Sequence, residues 1–178
     1  AVVLSHAHID HSGNLPSLYK AGFRGPIYST AATADLCQAM LKDSAFVQER
    51  DCEFLNKRRH RRRLIGEQTE DRQDCPLYTV QDAENTQTLF RPVSVHNETS
   101  VTKDLRFRFH GAGHMLGSAC VSLEYTQNGS TVRLGFSGDV GRAGLPIIED
   151  PEHLPPVDYL ILESTYGDRF HKPLDAVA

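Results

Sequence analysis

Hydrophobic and polar positions along the chain predict a mixed first half and a second half rich in strands. The apolar run at residues 2–4 is typical of a buried strand, and residues 27–29 predict a second short strand between turn residues. Four stretches of the second half alternate apolar with polar side chains, as half-buried strands do. They are residues 93–95, 105–109, 120–125 and 132–136. Asn128-Gly129 predicts a hairpin turn between the last two, because both turn positions require positive φ.

Helices are predicted mainly in the first half. Leu15 and Leu18 are spaced for one apolar face of a short helix. Thr30 is a suitable N-cap for a longer helix that continues beyond Phe46. Met40 and Phe46 of that helix are expected to lie in the hydrophobic core.

The chain then turns polar and highly charged over about residues 43–91, which indicates a helical insertion followed by a mobile stretch. Residues 67–75 are expected to be the most mobile part. Residues 78–80 predict an extended piece that leads into a further helix, and this helix is expected to end near residues 90–92. The whole of residues 1–178 is interpreted as one domain that carries this insertion.

Composition indicates an ordinary globular protein, with 39% hydrophobic and 24% charged residues. No apolar run approaches the length of a membrane span, and a cytosolic location is the simplest interpretation. The formal net charge of −4 argues against a uniformly basic protein that binds nucleic acid.

The strongest chemical signal is the stretch His6-Ala7-His8-Ile9-Asp10-His11, directly after the first predicted strand. Neutral imidazoles and a carboxylate suit zinc, and four such side chains exceed what one catalytic ion normally takes, so two ions are expected. A polar loop with solvent-facing histidines is the less favoured alternative. A structural zinc site is also disfavoured, because such sites usually use cysteine pairs. The cysteines here are scattered, at Cys37, Cys52, Cys75 and Cys120.

Two further candidate ligands follow predicted strands, and strand ends converge at one edge of a sheet. His114 lies between glycines that allow the backbone to pass close to an ion, although alone it would suit a buried structural histidine equally well. His110 is the other candidate for this ligand role and is interpreted instead as a structural residue at a strand end. Asp139 is the natural ligand to bridge two ions, and a turn or N-cap aspartate is the alternative.

Four short motifs, in the same order along the chain, resemble those of the metallo-β-lactamase superfamily. Residues 6–11 match its H-x-H-x-D-H signature. Residues 112–118, 137–139 and 163–167 narrow the similarity to the β-CASP branch of RNA-processing metallonucleases. Within that branch the chain is similar to prokaryotic relatives of the nuclease subunit of the cleavage and polyadenylation specificity factor. The resemblance runs from the first residue to about His171.

The resemblance implies an α/β fold, the metallo-β-lactamase αββα sandwich, with two sheets packed face to face, helices outside and metals at one edge. It implies an incomplete copy, since the family has strands before Ala1 and a β-CASP domain after the last motif. The implied ligands are His6, His8, His114 and Asp139 for one zinc, and Asp10, His11 and Asp139 for the other. A last histidine ligand is expected beyond the chain, so these residues alone are expected to be inactive or nearly so.

The implied activity is hydrolysis of RNA phosphodiester bonds, endonucleolytic or from the 5′ end, by hydroxide formed between two zinc ions, with manganese as the alternative metal. Asp10 and Glu163 are the implied catalytic carboxylates. Glu163 follows an apolar strand predicted at residues 159–162 and would orient a histidine general acid outside the chain. The rival functions are a hydrolase of small thioesters, lactones or phosphodiesters, and a non-catalytic RNA-binding relative.

The expected partner is single-stranded RNA, with no membrane, and the full-length parent is expected to form a homodimer. Basic charge is local, because residues 57–63, from Lys57 to Arg63, hold six of the 19 Lys and Arg residues. Elsewhere 13 basic residues stand against 23 acidic ones. A solvated helix face is the usual explanation of such a run, and an accessory grip on RNA phosphates is the alternative.

Overall fold

The computed structural model of the chain describes residues 1–68 and 72–168. Short strands and helices alternate in its first half, and longer strands follow. In chain order the elements are β1 (Val2–Val3), α1 (Ile9–Ser12), α2 (Leu15–Lys20), β2 (Ile27–Ser29), α3 (Ala31–Leu64), α4 (Val80–Gln87), β3 (Phe90–Pro92), β4 (Thr99–Ser100), β5 (Leu105–Gly111), β6 (Ala119–Gln127), β7 (Ser130–Phe136) and β8 (Tyr159–Ile161).

These strands form two sheets. The first sheet is parallel, in the order β1-β2-β3, and the second has the order β4-β5-β6-β7-β8. Neighbours in the second sheet are antiparallel except β7 and β8, which run parallel. In the first sheet, helices connect the parallel neighbours, since a parallel pair needs a crossover, whereas β7 and β8 of the second sheet are connected by residues 137–158 without a helix.

The two sheets pack face to face around a cluster of aromatic and aliphatic side chains. Phe107 and Phe109 of β5 are fully buried there against Val3 and Tyr28 of the first sheet. The Tyr28 and Phe107 rings lie 5.3 Å apart between centroids. Because side chains alternate along a strand, Ile27 points to the opposite face and packs against the helices. The predicted α/β sandwich is therefore confirmed.

The long helix differs from the prediction in how far its core face extends. Helix α3 runs unbroken for 34 residues, and Thr30 caps it by accepting a hydrogen bond from the Thr33 backbone N. Its buried face is formed by Cys37, Leu41 and Ala45. Phe46 is 55% exposed, so its predicted core position is wrong, whereas Met40 is half-buried against the helical core. The helix is therefore longer than the part of it that packs on the core.

Two further local predictions are wrong. Helix α4 ends at Gln87, and the residues expected to close it form strand β3, in which Phe90 pairs with Ile27 and is buried. Residues 93–95 do not form a strand, although the Val93 backbone N still donates to the Ser29 carbonyl at 2.8 Å. Non-local pairing with β2 thus decided where this edge strand lies.

The hairpin prediction is confirmed, because Asn128 and Gly129 have φ values of 51° and 78° between β6 and β7. The prediction of a mobile stretch at residues 67–75 falls partly on residues 69–71, which lie outside the described residues. Within the stretch, Asp74 exchanges hydrogen bonds with Asn56 and pairs with Arg59 at 2.7 Å. The extent of the domain and of its insertion stays a prediction. No helix in the described part of the chain is long and apolar enough to cross a membrane.

Candidate metal centre

The loop after β1 places the first group of candidate ligands. The chain leaves the sheet at Leu4, whose N donates to the Tyr28 carbonyl at 2.8 Å, and turns into the four-residue helix α1. The buried Ser12 hydroxyl bonds the carbonyls of Ala7 and His8, at 2.8 and 3.0 Å. These bonds close the turn so tightly that the imidazoles on either side of it face one another.

Three imidazoles from two distant segments meet at this point. His6 Nε2 lies 3.2 Å from His8 Nδ1, and His8 Nδ1 lies 3.1 Å from His114 Nε2. One ring nitrogen of each histidine and one carboxylate oxygen of Asp139 all lie within 4.8 Å of one another. Four donors from three loops therefore surround one small volume.

Asp139 presents its two carboxylate oxygens to different histidines. Oδ2 lies 3.6 Å from His6 Nε2 and 3.5 Å from His114 Nε2. Oδ1 instead lies 3.2 Å from His11 Nε2. Asp10 Oδ2 lies 3.6 Å from the same nitrogen. All six predicted ligands thus lie together, and their role as ligands stays a prediction.

The His114 loop is held by hydroxyl groups, and the sequence did not predict this contact. Ser118 Oγ accepts hydrogen bonds from the backbone N of both His114 and Met115, each at 3.1 Å. The hydroxyls of Thr30 and Thr33, at the start of α3, donate to the Gly117 carbonyl at 2.6 and 2.9 Å. The first turn of the long helix therefore anchors the loop that carries the third imidazole.

The Asp139 loop passes directly over Ser5. Gly138 has a φ of 55°, and a Cβ built on it would lie 2.8 Å from the Ser5 Cβ, so only glycine permits this approach. The Ser5 hydroxyl oxygen also lies 3.1 Å from His6 Nδ1. Because that ring nitrogen is engaged, Nε2 faces the centre, which is the arrangement expected of a metal-binding histidine with an oriented ring.

Burial favours the neutral imidazoles that a metal requires. The side chain of His6 is fully buried, and this burial, together with the nearby charge on His11, lowers the pKa of His6 to about 4. Its lone pair is therefore free of a proton at neutral pH. Three imidazoles and a carboxylate oxygen are a donor set that zinc takes. The described residues thus fit a divalent metal.

The two predicted catalytic carboxylates lie in different surroundings. The Asp10 side chain is 74% exposed at the rim of the centre. Glu163 instead accepts a hydrogen bond from the Val140 backbone N, and its own N donates to Ser137 Oγ at 3.0 Å. Burial alone would raise the pKa of the Glu163 carboxyl, but hydrogen bonds from Val140 and Thr165 outweigh it and lower that pKa. Glu163 therefore fixes the backbone beside Asp139.

His110 does not join the centre. It lies within β5, and its Nε2 lies 2.8 Å from Ser122 Oγ, in agreement with its interpretation as a strand residue.

The basic run at residues 57–63 forms the last turns of α3, which project from the sheets. Arg59 pairs with Asp74 and Arg62 with Glu67, so part of its charge is matched locally. At 1.5 Å per residue, the run lies about 40 Å along the helix from Thr33.

Comparison with known proteins places these residues in a family. The chain matches the metallo-beta-lactamase superfamily over residues 1–175. Ribonuclease TTHA0252 of Thermus thermophilus is 34% identical over 173 residues, which are 97% of this chain and 33% of that protein. Transcription termination factor FttA of Methanocaldococcus jannaschii is 28% identical over 168 residues, which are 94% of this chain and 23% of that protein. The chain thus spans a third or less of the length of these relatives.

Among solved structures, a B3 metallo-beta-lactamase with an active site glutamic acid aligns with a TM-score of 0.44 and 14% identity, over 81% of this chain and 46% of that one. This likeness is too low to add to the assignment, which depends on the match to the superfamily itself. Because that match covers nearly the whole sequence, the chain belongs to the metallo-beta-lactamase superfamily, as its motifs predicted.

Proposed function

We propose that this chain is the metal-binding core of a metal-dependent ribonuclease of the β-CASP branch, which hydrolyses RNA phosphodiester bonds with two divalent cations. Zinc is the favoured metal, and manganese is the alternative.

The observation that most strongly supports this proposal is that the two carboxylate oxygens of Asp139 face different histidines. Its Oδ2 faces the site made by His6, His8 and His114, whereas its Oδ1 faces His11. A carboxylate shared in this way lets two cations lie close together, because its negative charge offsets their repulsion. A lone structural ion would need only one of these oxygens.

The residues of the chain have distinct tasks in this proposal. The buried His6, with His8 and His114, would hold the first ion, and the more exposed Asp10 and His11 would hold the second. When bound, the two ions supply Lewis-acid chemistry, which lowers the pKa of water towards 7 and draws charge from phosphate oxygens.

Glu163 has a positioning task that its observed contacts support. Its carboxylate holds the backbone N of Val140, directly after the shared ligand Asp139. The further task that the resemblance implies, orienting a histidine general acid, remains part of the proposal.

RNA is the proposed substrate because the sequence relatives include a named ribonuclease and a transcription termination factor. The basic end of α3 is a second, weaker support, since each phosphate that Lys or Arg neutralises releases counterions. Single-stranded RNA, a homodimer of the full-length parent and a cytosolic location stay predictions.

The test is metal analysis and hydrolysis on the purified full-length parent, prepared without chelators. We expect close to two zinc ions bound by the six predicted ligands of this centre, and cleavage of labelled RNA in preference to a chromogenic small ester. Reconstitution of the metal-free protein with zinc or manganese would identify the ion that supports turnover. Absence of bound metal would contradict the proposed function, and hydrolysis of the ester alone would favour the small-molecule hydrolase.

A further inference from the structure

A second group of metal-binding residue types lies on the outer face of the five-stranded sheet. One ligand atom from each of His96, His110 and Glu152 lies within 4.8 Å of the other two. His110 points away from the core side of β5, where its neighbours Phe107 and Phe109 are buried. None of the three residues belongs to the six-ligand centre, so the group requires its own explanation.

His110 is prepared for a ligand role by its surroundings. The residue is only 8% exposed, and burial lowers the pKa of its imidazole, which favours the neutral form. Its Nε2 lies 2.8 Å from Ser122 Oγ, which leaves Nδ1 for another partner. Metal-binding histidines commonly have their second nitrogen fixed by such a hydrogen bond.

His96 and Glu152 approach this imidazole from two separate turns. His96 has a φ of 66°, rare for a residue other than glycine, and its backbone N donates to the Phe109 carbonyl at 2.9 Å. Its Nε2 lies 3.4 Å from Glu152 Oε1. Glu152 is positioned by its own N, which donates to the Gly111 carbonyl at 2.8 Å. Its carboxylate passes close to the backbone there, because a Cβ at Gly111 would lie 3.1 Å from Oε1.

Cys120 is the direct cross-strand partner of His110 and shares its face of the sheet. Burial raises the pKa of its thiol to about 11. Because the thiolate is the form that binds metals, this protonated cysteine is not counted among the ligands.

We propose that His96, His110 and Glu152 bind a single divalent transition-metal ion, with zinc as the best chemical match. Two imidazoles and one carboxylate leave a coordination position for water. Ligand atoms around tetrahedral zinc lie about 3.4 Å apart, as follows from bonds of about 2.1 Å. The His96–Glu152 pair has this separation already. The imidazole of His96, 59% exposed on its turn, supplies the remaining adjustment.

Such an ion would join three segments that are distant in sequence. It would tie the turn at His96 and the segment at Glu152 to the end of β5, from which the chain continues to His114. The inference goes beyond the proposed function and does not depend on it, since either site can bind metal without the other.

The test counts ions in variants of the metal-free protein after equilibration with increasing zinc. We expect His96→Ala to bind one ion fewer per chain than the natural protein. Glu152→Gln, which keeps the shape of the side chain but removes its charge, is expected to show the same loss. His153→Ala is the matched control, because it removes an adjacent exposed histidine outside the group, and it should bind as the natural protein does.

The zinc content of Asp139→Asn distinguishes ions bound at this site from ions bound at the six predicted ligands around Asp139. In the Asp139→Asn background, the ion that remains should disappear on adding His96→Ala. Equal zinc content in the natural protein, His96→Ala and Glu152→Gln, with folding verified by circular dichroism, would overturn the inference and leave the proposed function untouched. Loss of zinc from His96→Ala but not from Asp139→Asn would support it and contradict the proposed function instead.

Discussion

The candidate metal centre and the outer half of α3 are both rich in ionisable side chains, but most of these side chains are held and at least partly buried at the centre and exposed on the helix. At the centre, Ser118 and the threonines of α3 fix the backbone of the His114 loop, and the Ser5 hydroxyl contacts the His6 ring. His6 is fully buried there. On the outer half of α3, Phe54 is 63% exposed and most of the basic side chains face solvent.

The difference shows what kind of effect each region can have. His6 at the centre is buried with a lowered pKa, and its neighbours are held in fixed geometry, so a small change should have a large effect on metal binding and stability. Exposed charges on the helix interact through water and salt, so their substitution should alter long-range attraction and little else.

The largest effect is expected for Asp139→Asn. If Asp139 serves two ions, this change should disturb both and reduce RNA cleavage by about 10³-fold, since a metal contributes several kcal/mol to the transition state. Asp10→Asn is the matched carboxylate control and should spare the three-histidine site, leaving about one of the two ions of this centre. Metal analysis and cleavage kinetics measure both variants. Equal metal loss in the two would contradict the assignment of Asp139 as the shared ligand.

The next effect concerns pH and the metal-free protein. His6 has a pKa of about 4 in the folded state because of its burial, against about 6.5 in an unfolded chain. Between these values the unfolded state binds more protons, so the free energy of unfolding should fall by up to about 3 kcal/mol as pH is lowered from 6.5 to 4. Above pH 6.5 the contribution is fully present. Denaturant titrations at several pH values measure it.

His6→Asn should flatten this pH dependence, whereas His60→Ala on the exposed helix should preserve it. The same slope in His6→Asn as in the natural protein would assign the effect to other groups.

A smaller effect is expected for Thr33→Val, which keeps the shape of the side chain but removes the hydroxyl that donates to the Gly117 carbonyl. Loss of this buried bond should lower the free energy of unfolding by about 1–2 kcal/mol. It should also weaken metal retention, because the His114 loop loses one of its anchors. Thr88→Val removes an exposed hydroxyl bond to the Asn85 carbonyl and should change stability by less than about 0.5 kcal/mol. Equal effects of the two variants would show that the loop does not need this anchor.

The smallest effect on stability is expected for the double change Arg58→Ala and Arg61→Ala, within about 0.5 kcal/mol. If the basic run contacts RNA, affinity should fall and the slope of log K against log salt should flatten by about 0.7 per lost phosphate contact. Filter binding at several salt concentrations measures this, with Lys103→Ala, 90% exposed on a turn, as the control. An unchanged slope would leave the run as a solvated helix face.

The sequence predicted those features that depend on neighbouring residues. The alternating strands and the Asn128-Gly129 hairpin are local patterns, and the superfamily could be identified because its ligands form short motifs. The burial of Phe90 and the exposure of Phe46 could not be predicted, because they depend on which elements pack beside them. The group at His96, His110 and Glu152 was missed for a similar reason, since its members share no motif and are 14 and 42 residues apart.

Strands β7 and β8 run side by side in the same direction, so the chain leaves both at the same edge of the sheet. Asp139 and Glu163, which follow these two strands, therefore lie at the same edge of the sheet, whatever the length of the connection between them. Ile147, which is 93% exposed, lies in that connection. A short peptide inserted beside it should leave the spacing of the two carboxylates intact, which makes this connection a suitable place for a reporter tag.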